Sequence, residues 1–369
     1  MNDPMLLFCA SDAGGARELI PVIAEAKNRH IAFRVLCSPV TAPIFAAEKI
    51  DAEECTITSV DDAEHFLSEK KIHALIVGTA GEPKTEHELT AAAKKIPIRS
   101  ISVLDEWFSF TTRFEDENGE LGPYIPNIIC VQDETAYTFA REDGLPAEIL
   151  RITGSPSLAK LTGVARKFSE DPPDCPDILK ETDRPTILFL SQPLRRAYGE
   201  GPGDKGTHGA FMGYHEDMVR EDLAEILTVY RRDVRVLEKM HPSEGDKPPP
   251  ATGANVEWCM EAGSHALWPL LWHAHCIVGM STKALLEAGM LGRSPLSYQP
   301  NARDPEVCSA VRLGFAELIT TKQGLEAALR TCLERPLRRG KLRTLPCANP
   351  DAASKILALA EECSSEKYA

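Results

Sequence analysis

Short apolar runs alternate with longer amphipathic segments through the first half of the chain, and the same rhythm starts again in the second half. This alternation is typical of βαβ units, whose strands join into a parallel sheet covered by helices. A chain of 369 residues is also longer than the ~250–300 residues that one hydrophobic core usually reaches. The sequence therefore predicts an α/β fold of two Rossmann-like domains that face each other across a cleft.

The apolar runs predict the strands, and the amphipathic segments between them predict the main helices. Predicted strands lie at 5–10, 33–37, 74–77, 99–104, 128–131, 149–153, 186–190, 235–239 and 276–278. Predicted helices lie at 16–29, 43–48, 62–69, 86–95, 215–231, 266–273, 282–291, 322–334 and 352–361.

The boundary between the two domains is expected at residues 166–185, which are rich in proline and charge and have little apolar periodicity. This places one domain at 1–165 and the other at 180–345, with a C-terminal helix within 352–369 that is expected to pack back onto the first domain. A second irregular stretch, 199–213, is rich in glycine. Loops of that length are often functional, so we expect it to cover a binding site.

Charge and composition exclude several classes of partner. The formal net charge of -14 argues against binding a polyanion over a broad face, so nucleic acid is not an expected partner.

The first residues lack the basic region and apolar stretch of a signal peptide, and no apolar run approaches the length of a transmembrane helix. The 11 cysteines are scattered without a CxxC pair, as expected for reduced thiols. We therefore predict a cytoplasmic protein.

The segment Ser11-Asp-Ala-Gly-Gly15 follows the first predicted strand directly. Ligands of parallel sheets bind at the carboxyl ends of strands, and glycines such as Gly14 and Gly15 let another molecule approach the backbone closely. Together with Asp12 they predict a ligand-binding turn, although the spacing is not the GxGxxG fingerprint of NAD-binding proteins. A tight βα turn that needs glycine for its shape explains the same residues equally well.

The segment Leu104-Asp-Glu-Trp-Phe108 follows another predicted strand, and Arg113 comes shortly after it. A carboxylate at a strand end can serve as a general base, so we predict that role for Asp105. Glu106, Trp107 and Arg113 are placed beside it, with the tryptophan as a surface on which a sugar could stack. In the alternative interpretation Asp105 caps the next helix and Trp107 fills the core, and for Glu106 a structural role is favoured.

Three segments of the second half place polar groups at the ends of predicted strands. Hydroxyl groups and amides at the start of a helix suit a phosphate, a histidine at a strand end can point at the same group, and a glutamate can accept hydrogen bonds from a ribose. Alternatively, these residues are a helix cap, a structural histidine and a solvated glutamate. The residues are Ser191, Gln192, His241, Pro242, Ser281, Thr282 and Glu287.

These segments, with Gly213-Tyr-His-Glu216, resemble enzymes of the GT-B fold. The resemblance is to the cluster that contains CDP-glycerol glycerophosphotransferases, bacterial sialyltransferases and Kdo transferases, and hydrolysing UDP-GlcNAc 2-epimerases. Members pair a His-Pro motif with a Ser-Ser or Ser-Thr motif to hold the donor nucleotide, and Ile152-Thr-Gly-Ser-Pro156 is similar to their Val-Thr-Gly-Asn-Pro segment. The acidic sialyltransferase motif is not present as such, because Trp107 follows Asp105 and Glu106 where that motif has glycine.

The resemblance implies an acceptor-binding role for the first domain and a donor-binding role for the second. His241, Ser281 and Thr282 would hold the donor phosphate, with His241 stabilising the charge that develops there. Glu287 would meet the ribose or neighbouring amides, and Asp105 would deprotonate the acceptor hydroxyl.

The leading prediction is a metal-independent glycosyltransferase of surface glycan or glycoconjugate synthesis. It would move a sugar from a CMP-, CDP- or UDP-linked donor to a hydroxyl of a glycan, glycolipid or glycoprotein, without a cofactor beyond that donor. Peripheral membrane association is left open. Two alternatives are a hydrolysing nucleotide-sugar 2-epimerase and a non-catalytic, two-lobed sugar-binding protein.

Overall fold

The chain divides into two compact units. The computed structural model describes residues 5–80, 84–96, 98–116, 118–180, 184–245, 247–261, 265–302, 307–337 and 339–366. Unit 1 consists of Met1–Thr162 and Leu345–Ala369, and unit 2 consists of Gly163–Thr344. Unit 2 is therefore an insertion in the sequence of unit 1. Residues 181–183 of the expected linker and 367–369 of the expected C-terminal helix lie outside the described residues.

The strands of unit 1 alternate with helices from its first residues onward. They are β1 (Met5–Ala10), α1 (Ala13–Asn28), β2 (Ala32–Cys37), α2 (Ala42–Ala47), β3 (Glu53–Glu54), α3 (Val60–Glu69), β4 (Ile72–Val77), α4 (Thr85–Lys95), β5 (Arg99–Val103), β6 (Ile128–Val131), α5 (Glu134–Glu142), β7 (Leu150–Ile152) and α6 (Pro156–Glu170), which crosses the boundary between the units.

Unit 2 repeats this alternation, after which the chain returns to unit 1. Its elements are α7 (Asp177–Lys180), β8 (Thr186–Leu190), α8 (Leu194–Tyr198), α9 (Glu216–Val229), β9 (Val234–Lys239), β10 (Val256–Glu261), α10 (Leu267–His273), β11 (Cys276–Gly279), α11 (Lys283–Met290), β12 (Leu296–Tyr298), α12 (Ser309–Arg312), β13 (Glu317–Ile319) and α13 (Lys322–Leu333). Helix α14 (Ala352–Glu366) closes unit 1.

Each unit contains one parallel sheet with helices on both faces. The strand order is β3-β2-β1-β4-β5-β6-β7 in unit 1 and β10-β9-β8-β11-β12-β13 in unit 2. In both sheets the first strand of the unit lies in the interior, and the chain runs outward from it first to one edge and then to the other, as in Rossmann folds. The prediction of an α/β fold with two Rossmann-like domains is confirmed.

Strand β1 shows why its apolar run predicted a central strand. Leu6, Phe8 and Ala10 enter a core formed with α1 and α14, whereas Leu7 and Cys9 enter the core on the opposite face with α3 and α4. A strand of a parallel sheet is buried on both faces, so its sequence is apolar at consecutive positions instead of alternating. No helix among the described residues is long and apolar enough to cross a membrane.

The Thr-Gly-Ser-Pro segment contacts several parts of unit 1. Ser155 and Ser157 donate their hydroxyl groups to the buried carboxylate of Glu18 on α1 at 2.8 and 2.5 Å, and the Ser155 amide donates to the Cys347 carbonyl at 2.8 Å. Gly154 has φ of 93°, and a Cβ there would lie 2.9 Å from the Cys347 oxygen. This segment therefore joins α1, the start of α6 and the returning chain.

Of two local predictions, one differs from the structure and one agrees with it. Residues 166–170 of the expected linker continue helix α6, because that helix runs to Glu170. Residues 199–213 form an irregular loop with one isolated bridge between Lys205 and Ala210, as the glycine content predicted.

Candidate functional site

The switch point of each sheet lies between the two strands from which the chain runs in opposite directions. In unit 1 these strands are β1 and β4, and in unit 2 they are β8 and β11. Loops at the carboxyl ends of such strands diverge and leave room for a ligand. The predicted residues of both halves follow these strands or a direct neighbour of them, and each unit is described separately below.

In unit 1, Asp105 forms an ion pair with Arg113. Arg113 Nη1 lies 2.8 Å from Asp105 Oδ1 and donates to Thr79 Oγ1 at 2.5 Å, while its Nε donates to the Ser109 carbonyl at 3.0 Å. Each charged side chain is 13% exposed. Burial alone lowers the pKa of Arg113, but the charges of Asp105, Asp12 and Glu106 raise it above its ordinary value. The guanidinium therefore stays charged in an acidic surrounding.

The glycines after β1 do not form a turn. They lie where two segments of the chain approach each other closely. Helix α1 begins at Ala13, and the Asp12 carboxylate caps it by accepting from the Gly15 amide at 2.6 Å. Gly14 and Gly15 thus lie in the first helical turn, which corrects the predicted helix start at residue 16. A Cβ on Gly14 would overlap Asp105 Oδ2, and a Cβ on Gly15 would lie 3.1 Å from the Gly78 Cα atom.

Glu86 on α4 is a buried carboxyl group that the sequence did not reveal. It accepts from the Ser11 amide and the Ser11 hydroxyl, both at 2.7 Å. Burial, together with the charge of Asp12, raises the pKa of Glu86 to about 8 against the lowering effect of these hydrogen bonds. At neutral pH the group is therefore mostly protonated, and it fixes the loop after β1.

Trp107 lies in the core, contrary to its predicted place as an exposed stacking surface. It is 2% exposed, and its Nε1 atom lies 3.1 Å from both carboxylate oxygens of Asp133, which caps α5. An indole ring needs both apolar burial and a partner for its N–H, and this position supplies both. Glu106 is 8% exposed. Unit 1 thus brings Asp12, Asp105 and Arg113 together but buries the tryptophan.

In unit 2, residues 241–244 form a turn at the end of β9. The Glu244 amide donates to the His241 carbonyl at 2.8 Å, and Pro242 occupies the second position, where its fixed φ favours a turn. The Ser243 amide donates to His241 Nδ1 at 3.2 Å. Because Nδ1 is the acceptor, the proton of the neutral ring is assigned to Nε2, which is then a donor suited to a phosphate oxygen.

Gln192 and Ser281 connect the two strands of the unit 2 switch point. The Ser281 amide donates to Gln192 Oε1 at 2.9 Å. Thr282 caps α11, and its hydroxyl oxygen accepts from the Ala284 amide at 3.3 Å. The predicted phosphate-binding residues after β8 and β11 are therefore in direct contact through a neutral hydrogen bond.

Glu287 is buried inside unit 2. It is 3% exposed, and Trp268 Nε1 donates to its Oε2 at 2.6 Å. The solvated glutamate of the alternative interpretation is therefore wrong, and the role at a ribose stays a prediction.

Two further residues at this site were missed because their contacts are long-range. Glu244 binds Ser191, and Lys247 lies 3.1 Å from Glu216 and 3.2 Å from Asp217 on α9. The position of Glu244 three residues after the predicted histidine was the signal that could have identified it. Among the described residues, no group of three or more His, Cys, Asp or Glu side chains is arranged to hold a metal ion.

The comparisons with known proteins identify the fold. No family model matches the chain, and no curated protein matches its sequence. Solved structures match over nearly the full length of both chains, and they include UDP-GlcNAc 2-epimerases and a MurG protein. With its two parallel sheets, the chain has the GT-B fold, as predicted.

Three of these structures show the range of similarity. The Methanocaldococcus jannaschii UDP-GlcNAc 2-epimerase in complex with UDP-GlcNAc and UDP has a TM-score of 0.66 at 15% identity, covering 97% of this chain and 99% of that one. The Neisseria meningitidis UDP-GlcNAc 2-epimerase bound to UDP-GlcNAc has 0.69 at 15%, covering 97% and 100%. MurG of Acinetobacter baumannii has 0.54 at 12%, covering 97% and 99%.

Proposed function

We propose that the protein is an enzyme acting on a nucleotide-linked sugar, with unit 2 as the nucleotide-binding unit. The observation that carries this proposal is the arrangement at the ends of β9, β8 and β11, three neighbouring strands. Their loops present the His241 turn, Ser191 with Gln192, and Ser281 with Thr282 at one sheet edge. Imidazole N–H, hydroxyl and helix-terminal amide groups are the donors that a phosphate requires.

The fold comparisons support the same class of ligand. The proteins of this fold from M. jannaschii and N. meningitidis were crystallised with UDP-GlcNAc. UDP is therefore the first nucleotide to test, ahead of the CMP- and CDP-linked donors that the sequence resemblance also allows.

Glycosyl transfer is the first candidate reaction. An acceptor hydroxyl would lose its proton to Asp105 and attack the donor sugar at its anomeric carbon, while the bond from that carbon to the nucleotide phosphate breaks. His241 and the amides at the start of α11 would stabilise the departing phosphate. Within unit 1, Asp105 Oδ1 is held by Arg113, and Oδ2 lies beside Gly14.

Hydrolysing epimerisation of a nucleotide sugar is the second candidate. A specific observation favours it: the UDP-GlcNAc 2-epimerases match with TM-scores of 0.66 and 0.69, against 0.54 for MurG. This reaction consumes water instead of an acceptor hydroxyl, and it would release UDP and a free sugar. Product analysis with UDP-GlcNAc alone, and then with candidate acceptors, separates the two candidates.

Calorimetric titration tests the proposal. The panel is UMP, UDP, CMP, CDP, GDP and NAD against the wild type and His241→Ala, with His273→Ala as the matched control. His273 lies before β11, at the opposite end of that strand from Ser281. Its Nε2 atom is 2.8 Å from the Pro173 carbonyl oxygen.

We expect one pyrimidine nucleotide to bind selectively. His241→Ala should weaken that binding about tenfold or more, because a hydrogen bond to a charged group contributes ~1.5–3 kcal/mol. His273→Ala should bind like the wild type. A folded wild type that binds no member of the panel would contradict the proposal.

A further inference from the structure

Glu244 connects two loops of the unit 2 site through one carboxyl group. The Ser191 hydroxyl donates to Oε1 at 2.8 Å, and the His241 amide donates to Oε2 at 2.7 Å. Ser191 follows β8 and His241 follows β9, so the two bonds join the ends of adjacent strands. The Glu244 side chain is 2% exposed.

The surroundings of Glu244 show that these hydrogen bonds hold a carboxyl group in an unfavourable place. Burial raises the pKa of Glu244, and the charge of Glu216 on α9 raises it further. The His241 amide, the Ser191 hydroxyl and Lys247, whose Nζ lies 3.8 Å away, act in the opposite direction. Lys247 is shared with Glu216 and Asp217, so it is not a dedicated partner of Glu244.

The two bonds determine how the proposed phosphate donors are presented. The bond from the His241 amide adds a second hydrogen bond between the first and last residues of the 241–244 turn, and so fixes the backbone that carries the imidazole. The bond to Ser191 fixes the residue that precedes Gln192, and Gln192 contacts Ser281. One carboxyl group thus sets the relative positions of the loops after β8 and β9.

We propose that Glu244 is a positioning residue of the nucleotide site, which holds His241 and the loop that begins at Ser191 in the geometry that binds the phosphate. It acts through those residues and does not itself contact the nucleotide. This inference rests on the proposed function, because it assigns a role within the same site.

The side-chain chemistry of glutamine makes the proposal testable. In Glu244→Gln, Oε1 can still accept from the His241 amide, and Nε2 can donate to Ser191 Oγ, which also accepts hydrogen bonds. Both contacts are then kept without the charge. Glu244→Asp keeps the charge but is one methylene too short to reach both partners, and Glu244→Ala loses both.

The experiment is titration of each variant with UDP, or with whichever nucleotide of the panel the wild type binds, at pH 7.5. Glu261→Ala is the matched control, because Glu261 is also a buried carboxylate at a strand end, bound to the amide and ring of His265 at 3.0 and 2.7 Å. Circular dichroism and thermal unfolding establish that each variant is folded.

We expect Glu244→Ala to weaken binding by about 10- to 100-fold, the loss of two hydrogen bonds. Glu244→Gln should stay within about threefold of the wild type, Glu244→Asp should fall between them, and Glu261→Ala should leave the affinity unchanged. If Glu244→Ala does not fold, the proposal is still tested by whether Glu244→Gln binds the nucleotide more tightly than Glu244→Asp does. The proposal is overturned if Glu244→Asp binds more tightly than Glu244→Gln, or if a folded Glu244→Ala keeps full affinity. A wild type that binds no nucleotide overturns the proposed function and this inference together.

Discussion

Unit 1 and unit 2 share the order of their inner strands, yet they use different chemistry at the corresponding sheet edge. Unit 1 collects Asp12, Asp105 and Glu106 around the guanidinium of Arg113, and it buries a protonated Glu86 next to them. Unit 2 connects its loops at the switch point through the amide of Ser281 and the carboxamide of Gln192. The same topology therefore supports a charged cluster at the switch point of one unit and a neutral hydrogen bond at the switch point of the other, where the charged groups lie in the neighbouring loop after β9 and on α9.

This difference indicates a division of roles. Neutral donors at a helix terminus suit an anion, because no buried charge has to be displaced when the anion arrives. The carboxyl-rich edge of unit 1 would repel an anion and instead suits hydroxyl groups. The contrast agrees with the proposed assignment of nucleotide phosphate to unit 2 and sugar or acceptor hydroxyls to unit 1.

Removing the cation of unit 1 should have the largest effect on stability. Arg113→Met leaves Asp105 buried without its partner, and breaking a buried ion pair from one side costs about 3–5 kcal/mol. Urea unfolding measures the loss. Arg29→Met is the control, since Arg29 is 34% exposed in its pairs with Glu25 and Glu361 and should cost less than about 1 kcal/mol. Equal losses for the two variants would show that the cluster is not a buried ion pair in solution.

The pH dependence of unit 1 should give the next largest effect. The pKa of Glu86 is about 8 in the folded state and close to 4.3 in an unfolded chain. The folded state therefore binds more protons between these pH values, and this group makes the free energy of unfolding fall as the pH rises from about 5 to 8.

Glu86→Gln should remove that contribution, because glutamine can keep both contacts with Ser11 and does not ionise. Relative to the wild type, the variant should gain stability on the order of a few kcal/mol between pH 5 and 8. Urea unfolding at both pH values measures the difference. A stability difference that is the same at pH 5 and pH 8 would contradict the assignment.

The neutral connection in unit 2 should give the smallest effect. Gln192→Ala removes one uncharged hydrogen bond, and we expect a loss of about 0.5–1.5 kcal/mol that does not change between pH 5 and 8. Gln192→Glu restores an acceptor for the Ser281 amide and should recover the loss at pH 8. A cost for Gln192→Ala as large as that of Arg113→Met would remove the contrast between the units.

The sequence predicted the fold class because the period of its apolar residues is a local property. Strands β1 and β6 begin and end where the apolar runs do. Strands β12 and β13, of three residues each, were not predicted. Strand β10 was missed because its middle residues are only partly buried and Glu257 and Glu261 leave it only a short apolar run.

The site was predicted where it depends on position after a strand and missed where it depends on distant partners. Asp105, His241 and Ser281 all follow predicted strands, and the structure places them at sheet edges. Glu86 contacts Ser11 across 75 positions, and Glu244 contacts Ser191 across 53. Gly14 was interpreted as part of a turn for the same reason. Its close neighbour is the side chain of Asp105, more than ninety residues away.

The insertion of unit 2 within unit 1 has a consequence for synthesis on the ribosome. Helix α14 supplies Ile356, Leu357 and Ala360 to the core that contains Leu19 and Ile23. At about 5–20 residues per second, roughly 10–40 seconds separate the emergence of Thr162 from that of Leu345. During this interval one apolar face of the N-terminal sheet is covered by α1 but lacks α14, while the continuous unit 2 can already fold. The part of the protein that is made first is therefore the part that is completed last.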